Sequence, residues 1–184
     1  MLVELLKLTG NLDCDCEILL GEIKKMKLHK ATNRKTLTAE GKAPTSDVYG
    51  LTKWHRYSNL QSREKSEYPG WYITKLKTQY PEFQLFLDEF SYYHLPEDFI
   101  WTSVVINKNF KCLRHKDAAN VGVSWIVGLG DYQDGETIVE NKNGTTTFHR
   151  IKHNPTGFNG SELYHYVAPW QGERWTLVFY NNLN

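Results

Sequence analysis

The sequence predicts a mainly β fold with N-terminal helices, an α+β chain in which a helical layer supports a small double-sheet jelly roll. Three observations predict it. Aromatic residues make up 14% of the chain, including six Trp and eleven Tyr, and such side chains pack well on a pleated surface. After Pro96, short runs rich in Val, Ile, Trp, Tyr and Thr alternate with turn signals such as Asp134-Gly135, Asn143-Gly144, Asn159-Gly160 and Gln171-Gly172. Before that point apolar residues recur at helical rather than alternating intervals. A length of 184 residues suits one compact domain with a real core.

In chain order, Leu2–Leu6 and Cys16–Lys27 have helix-like apolar spacing. Residues Lys30–Asp47 are polar, contain Gly41 and Pro44, and read as a loop. Gly70–Phe90 reads as a helix interrupted at Pro81, with Trp71, Leu76, Phe83, Phe86, Leu87 and Phe90 recurring at roughly helical intervals. Residues 1–95 thus form a helical and loop support packed on a core spanning 96–184. Strand signals in that core recur every eight to twelve residues or so, the spacing of an antiparallel sandwich or barrel. Asn143-Gly144, between Thr137–Glu140 and Thr145–Phe148, predicts a hairpin.

Composition excludes several classes. No apolar run approaches the roughly 20 residues that span a bilayer, and Met1–Lys7 lacks the pattern of a signal peptide, so no membrane association is expected. Three cysteines, Cys14, Cys16 and Cys112, form no disulfide framework and point to an intracellular, reducing compartment, cytoplasmic or nuclear. The run Gly128-Leu-Gly130-Asp-Tyr132 is not a phosphate loop, because it lacks the Lys-Ser/Thr ending. The formal net charge is only +1, yet from Lys24 to Lys65 eleven Lys and Arg face three acids, with Trp54, His55 and Tyr57 among them. Lys53, Trp54 and Arg56 of this stretch are candidates for contact with a nucleic-acid backbone or base; a solvated loop surface is the plainer reading.

The chemistry lies in the second half. His115-Lys-Asp117 spaces two ligand-type side chains to project to one side of an extended segment, which Phe110–Leu113 enters as a strand-like run. With seven His and 21 acids in the chain such a pair arises by chance, so its weight comes from a second segment. There His165 opens a strand, Pro169 and Gly172 turn the chain, and Arg174 opens the next strand with Thr176 two residues on, on the same face. In an antiparallel hairpin Arg174 returns beside the strand of His165. Two His and one carboxylate make the facial triad of non-haem iron oxygenases, which leaves three octahedral positions open. A planar Arg grips a carboxylate bidentately where a Lys offers only a point charge. His149 and His153 flank a probable strand and read as solvent-facing. Trp101, Trp125, Trp170 and Trp175 read as core or rim, with one of them available to stack on a substrate.

The array His115-x-Asp117, His165 and Arg174-x-Thr176 resembles the signature of the 2-oxoglutarate/Fe(II)-dependent dioxygenase superfamily over roughly residues 101–181, with about 48 residues between Asp117 and His165. That resemblance implies a double-stranded β-helix (cupin-like) core. His115, Asp117 and His165 would hold Fe(II), Arg174 would pair with the far carboxylate of 2-oxoglutarate, and Thr176 would be the hydroxyl partner. It implies 2-oxoglutarate and O2 as co-substrates, ascorbate as a helpful reductant, and hydroxylation rather than halogenation, since the carboxylate ligand is present. More narrowly, Asn107-x-Asn-Phe110, then His115-Lys-Asp117-x-x-Asn120-x-Gly122-x-Ser124, is similar to the TET/JBP group, which oxidises 5-methylpyrimidines in nucleic acid. This implies DNA as partner, 5-methylcytosine or thymine as substrate, Asn107 and Ser124 as co-substrate contacts and Asn120 as a substrate contact, although Asn and Ser at such positions also serve plain turns. The alternatives are a prolyl- or lysyl-type side-chain hydroxylase acting on a peptide, and a catalytically silent β-barrel binding module. A zinc hydrolase lacks a general base placed by motif.

Overall fold

A computed structural model describes residues 7–53 and 65–183 of the chain. Helix α1 (Leu12–Lys24) begins at Asn11, whose side chain accepts the Cys14 N–H, and carries Asp13 and Asp15 in its first turn. Both features satisfy or complement the free N–H groups at a helix start. It begins and ends earlier than the apolar spacing of Cys16–Lys27 suggests; Leu2–Leu6 lies outside the described residues. Lys30–Asp47 is only partly loop. It holds a 3-10 helix over Thr32–Leu37 and the start of strand β1 (Thr45–Lys53). The stretch read as the first half of an interrupted helix holds strand β2 (Trp71–Ile73) and the short helix α2 (Lys75–Gln79), capped by Thr74; α3 (Phe83–His94) follows the break at Pro81. β1 and β2 escape local reading because pairing with distant strands specifies them, which overrides weak local propensity.

The remaining strands are β3 (Ser103–Lys108), β4 (Val121–Leu129), β5 (Tyr132–Asp134), β6 (Thr137–Glu140), β7 (Thr146–His149), β8 (Thr156–Phe158), β9 (His165–Val167), β10 (Trp170–Gly172) and β11 (Trp175–Asn181). A six-stranded sheet runs β2-β1-β3-β11-β4-β8, so two of its strands come from before residue 95. Opposite it stands a small sheet, β7-β6-β9, with the pair β10-β5 at its end. All strand pairs are antiparallel, and the two layers make a jelly roll. The β6–β7 hairpin turns through Asn143-Gly144 as its sequence predicts; Gly144 has φ +82° and the Asn143 side chain accepts the Thr145 N–H at 3.1 Å.

The large sheet is buried on both faces. On its outer face Val104 and Ile106 of β3, Val127 and Leu129 of β4, and Leu177 and Phe179 of β11 pack with Leu19 and Ile23 of α1 and Phe83, Leu87 and Phe90 of α3. Each large apolar side chain buried this way contributes about 1.5–3 kcal/mol. On its inner face the alternate residues Val105, Asn107, Thr176 and Val178 line a cavity that residues of β6 and β9 close from the other side. Gly50 permits the close pairing of β1 with β3: its φ is +121°, and a Cβ there would lie 2.3 Å from the Thr102 carbonyl oxygen.

The helical layer is fastened by Asp15, which is fully buried. It accepts from the Thr9 N–H and hydroxyl at 2.7 Å, from the Gly10 N–H at 3.0 Å, and bonds His94 Nε2 of α3 at 2.7 Å. Burial alone would raise the Asp15 pKa; the hydrogen bonds from Thr9, His94 and Gly10 outweigh it and hold the group below its ordinary value. A depressed carboxylate pKa contributes stability that is full above the unfolded-state value and is lost as the pH falls through the folded one. Asp15→Asn, which keeps the shape but not the charge, is therefore expected to cost about 2–4 kcal/mol in urea unfolding at pH 7. Parent and variant should converge as the pH drops below 4, the range set by ordinary aspartate titration near ~3.9. An equal gap at all pH values would show that the charge is not what Asp15 contributes.

Candidate active site

His115 and Asp117 sit in the loop after β3, and the strand-like run Phe110–Leu113 is not a strand. The loop is tied to the small sheet by one bridge, in which the backbones of His115 and His165 exchange two hydrogen bonds of 3.0 Å. This bridge brings together two histidines 50 positions apart in sequence. Asp117 Oδ1 lies 3.4 Å from His115 Nε2, and Asp117 Oδ2 lies 3.3 Å from His165 Nε2. All three ligand atoms fall within 4.8 Å of one another, the one such group of three among the described residues.

The orientation of each ring is fixed from behind. His115 Nδ1 donates to the Leu113 carbonyl at 2.8 Å and His165 Nδ1 to the Leu163 carbonyl at 3.0 Å, which turns both Nε2 atoms toward Asp117. Asp117 is held by its N–H on the Gly160 carbonyl at 2.8 Å. Gly160 was legible only as part of an Asn-Gly turn; a Cβ there would lie 3.2 Å from Asp117 Oδ2 and 3.3 Å from His165 Cε1, so the site needs its smallness. Phe158 packs edge-on against the His165 ring at 4.9 Å. Cys112, which no motif recruited, lies with Sγ 3.3 Å from His115 Nδ1.

Burial pulls the His115 pKa down, but Asp117 and the Cys112 sulfur more than offset this and push it up to about 10. Burial likewise pushes Asp117 up, and the two histidines hold it far below the usual carboxylate range. The donors suit a divalent cation: two imidazoles and a carboxylate, facially arranged, with carbonyls fixing the tautomers.

Arg174 does not return beside His165 in a hairpin. β9 joins β6, the chain then passes through β10, and β11 inserts between β3 and β4 of the other sheet. Arg174 therefore enters the cavity from the large sheet, whereas His165 enters it from the small one. Only 3% of it is exposed; its backbone N–H donates to Asn109 Oδ1 at 2.8 Å and its Nε to the Gly135 carbonyl at 3.2 Å. Its guanidinium lies 5.6 Å from the rings of both Tyr132 and Trp170, and its Nη2 has no hydrogen-bond partner among the described residues. Desolvation lowers its pKa, partly offset by Tyr132, but a guanidinium remains charged. Gly128 has a packing role here: a Cβ on it would lie 2.0 Å from the Tyr132 hydroxyl.

Thr176 and Asn107 line the same cavity as parts of one ladder. Ser46, Asn107 and Thr176 are in register across β1, β3 and β11. Ser46 Oγ donates to Asn107 Oδ1 at 2.7 Å and Asn107 Nδ2 to Thr176 Oγ1 at 3.0 Å. Asn120 also lines the cavity, whereas Ser124 is buried behind it and takes its amide at 3.1 Å. Lys53 lies at the rim over the Trp71 ring. Trp54 and Arg56 lie outside the described residues. Trp101 packs on Phe179, Trp125 near Phe99 and Trp175 under Lys108, so these three are structural. His153 is not free at the surface: it bonds Asp13 of α1 at 2.8 Å, while His149 stacks on Phe158.

The cavity has a volume of about 640 Å3. Among the described residues its walls carry six Lys or Arg (Lys30, Arg34, Lys53, Lys75, Lys116 and Arg174) against two carboxylates, Asp47 and the triad's own Asp117.

No family model matches the sequence, and no curated protein matches it. Solved structures do. A Pseudomonas putida prolyl-4-hydroxylase is similar at a TM-score of 0.51 and 15% identity, over 97% of this chain and 90% of its own. NgTET1 in complex with 5mC DNA is similar at a TM-score of 0.52 and 17% identity, over 90% of this chain and 68% of its own. What both share with this chain is the fold.

A divalent ion that takes all three ligands must displace the proton of His115, whose raised pKa keeps it charged at neutral pH. Binding of Mn(II) at pH 7 is thus expected to release about one proton and to tighten roughly tenfold per pH unit from pH 6 to 8. Calorimetry in buffers of different ionisation enthalpy measures the proton count. A heat independent of buffer would show that the ion does not use His115.

Proposed function

We propose that the chain is an Fe(II)- and 2-oxoglutarate-dependent dioxygenase that hydroxylates a C–H bond, with a nucleic-acid base as its substrate. The observation that carries the reading is the buried guanidinium of Arg174, whose Nη2 has no hydrogen-bond partner among the described residues, in the same cavity as a His-Asp-His triad. A lone triad also suits a hydrolytic metal. A buried cation opposite it suits a small dicarboxylate that reaches from the metal to the far wall. Fe(II) bound by His115, Asp117 and His165 would supply the O2 activation that couples decarboxylation of a 2-oxo acid to hydroxylation.

The chain's own residues orient and exclude. Leu113 and Leu163 hold the two imidazoles with Nε2 toward the open side of the cavity. Arg174, enclosed by Tyr132 and Trp170, offers a planar fork in a water-poor wall, where charge–charge attraction is far stronger than in bulk solvent. Asn120, its amide fixed by Ser124, presents a polar edge near the triad with which a planar base could pair.

Three features support the nucleic-acid substrate, in particular the 5-methyl group of a pyrimidine. Cations dominate the cavity rim, and two of them, Lys30 and Arg34, bond hydroxyls of Thr45 and Ser46 rather than carboxylates, leaving charge for a polyanion. The fold is shared with NgTET1 bound to 5mC DNA. The Asn120 spacing matches the TET/JBP pattern. A base would enter from a single strand or by flipping out of a duplex. A peptide side-chain hydroxylase is the second reading, favoured by the prolyl-4-hydroxylase of the same fold.

Incubation with Fe(II), ascorbate, 2-oxoglutarate and DNA containing 5-methylcytosine is expected to yield an oxygenated nucleoside by mass spectrometry, and none with His115→Ala. Arg174→Ala is expected to raise the 2-oxoglutarate requirement by roughly a hundredfold, as removal of one partner of a buried charge pair does. DNA binding should weaken steeply with salt. Succinate without a modified nucleoside would move the substrate to peptides, and absence of both, with no Fe(II) binding, would leave a silent binding module.

A further inference from the structure

Of the tryptophans among the described residues, Trp71 alone lines the cavity. Trp101, Trp125 and Trp175 are taken up by packing, and Trp170 lies against Arg174. Trp71 opens β2, an edge strand of the large sheet, and is only half-buried, so part of its surface meets solvent. Four cations of the cavity walls lie on the same side, in the elements around β1: Lys30, Arg34, Lys53 and Lys75. Lys30 bridges Thr45 at the start of β1, Arg34 reaches Ser46, and Lys53 ends the strand opposite Trp71. Lys75 follows β2 by two residues. The row therefore follows β1, over at most ~26 Å. Asp47, the carboxylate of that wall, is already taken by His29 and by the Val48 N–H. Among the described residues Lys30 and Arg34 bond hydroxyls and Lys53 covers a ring, so the charge of this wall is not neutralised from within.

A row of such cations with an aromatic ring in it fits a chain of phosphates whose bases are unpaired. A duplex offers its phosphates alone, because its bases have no free face for the indole. Lys53 lies over the Trp71 ring at 4.9 Å. A stacked base gains more from the ring than an exposed ammonium does, so it displaces Lys53 and frees it for a phosphate. Resting on the nucleic-acid reading of the substrate, we infer that the chain takes single-stranded DNA laid along β1, with a base next to the target stacked on Trp71. Lys53 and Lys75 meet the phosphates on either side of that base. The target then enters the cavity from a strand that is already unpaired, and no duplex has to be opened.

Anisotropy of a short labelled oligonucleotide, measured with Mn(II) and 2-oxoglutarate in the absence of oxygen, tests this without turnover. The single strand should bind more tightly than the duplex of the same sequence. Trp71→Ala should weaken the single strand about tenfold and leave the duplex unchanged, which also shows that the variant is folded. Trp71→Phe should keep the affinity but lose the quenching of tryptophan fluorescence that the parent shows on binding. Lys75→Gln should lower the slope of log affinity against log salt by about 0.7. Tighter binding of the duplex would overturn the inference, as would Trp71→Ala holding the single strand like the parent; both leave a nucleic-acid substrate standing. So would an equal loss for single strand and duplex, which is general damage rather than lost stacking, and so would tighter binding of RNA of the same sequence. A parent that binds none of the three would remove the nucleic-acid substrate as well, while succinate formation would still report on the dioxygenase.

Discussion

The site depends on the strict alternation of β3 and β11. Both strands are buried on two faces and divide their side chains between two environments. Val104, Ile106, Leu177 and Phe179 are held by the helices, so Asn107, Thr176 and the residue just before β11, Arg174, are turned to the cavity. A slip of one residue would exchange Arg174 and Thr176 for Trp175 and Leu177. The apolar layer therefore does more than add stability. It fixes the register that puts a guanidinium in the cavity of the His-Asp-His triad, and the Asp15–His94 fastening keeps that layer in place.

Electrostatics then give the cavity its direction. A buried charge without a counter-charge is costly, and such groups persist where a ligand supplies the compensation. At the triad, the carboxylate lies between two imidazoles, and on the proposed function a divalent cation would replace the His115 proton. At the far wall Arg174 has carbonyl and aromatic neighbours but no acid. The positive excess of the walls thus separates into an enclosed cation at depth and hydrated Lys and Arg at the rim.

The sequence shows the residue types and their order, and it conceals what tertiary pairing decides. His115, Asp117, His165, Arg174 and Thr176 are legible because ligand spacing and strand alternation are local patterns. The hairpin relation inferred between His165 and Arg174 fails because β10 carries the chain from one sheet to the other, and short polar strands leave no periodic signal. β1 fails for the same reason: its inward Ser46 and its Gly50 look like loop residues until β3 pairs with them. Gly160 and Gly135 read as turn glycines, yet what fixes them is the closeness of Asp117 and Arg174 to the backbone.

The separation of the two positive regions bears on the order in which ligands arrive. Attraction at the exposed rim is screened over a Debye length of ~8 Å at physiological salt, while the enclosed Arg174 is screened far less. A backbone phosphate of a large substrate can meet Lys30, Arg34 or Lys53 but not a guanidinium that is 3% exposed behind Tyr132 and Trp170. A small dicarboxylate can reach it only through the cavity that these same rim residues line. On the proposed function, a macromolecule seated on the rim closes that route. The co-substrate then has to bind first, and the wall that holds it becomes the floor on which the substrate base rests.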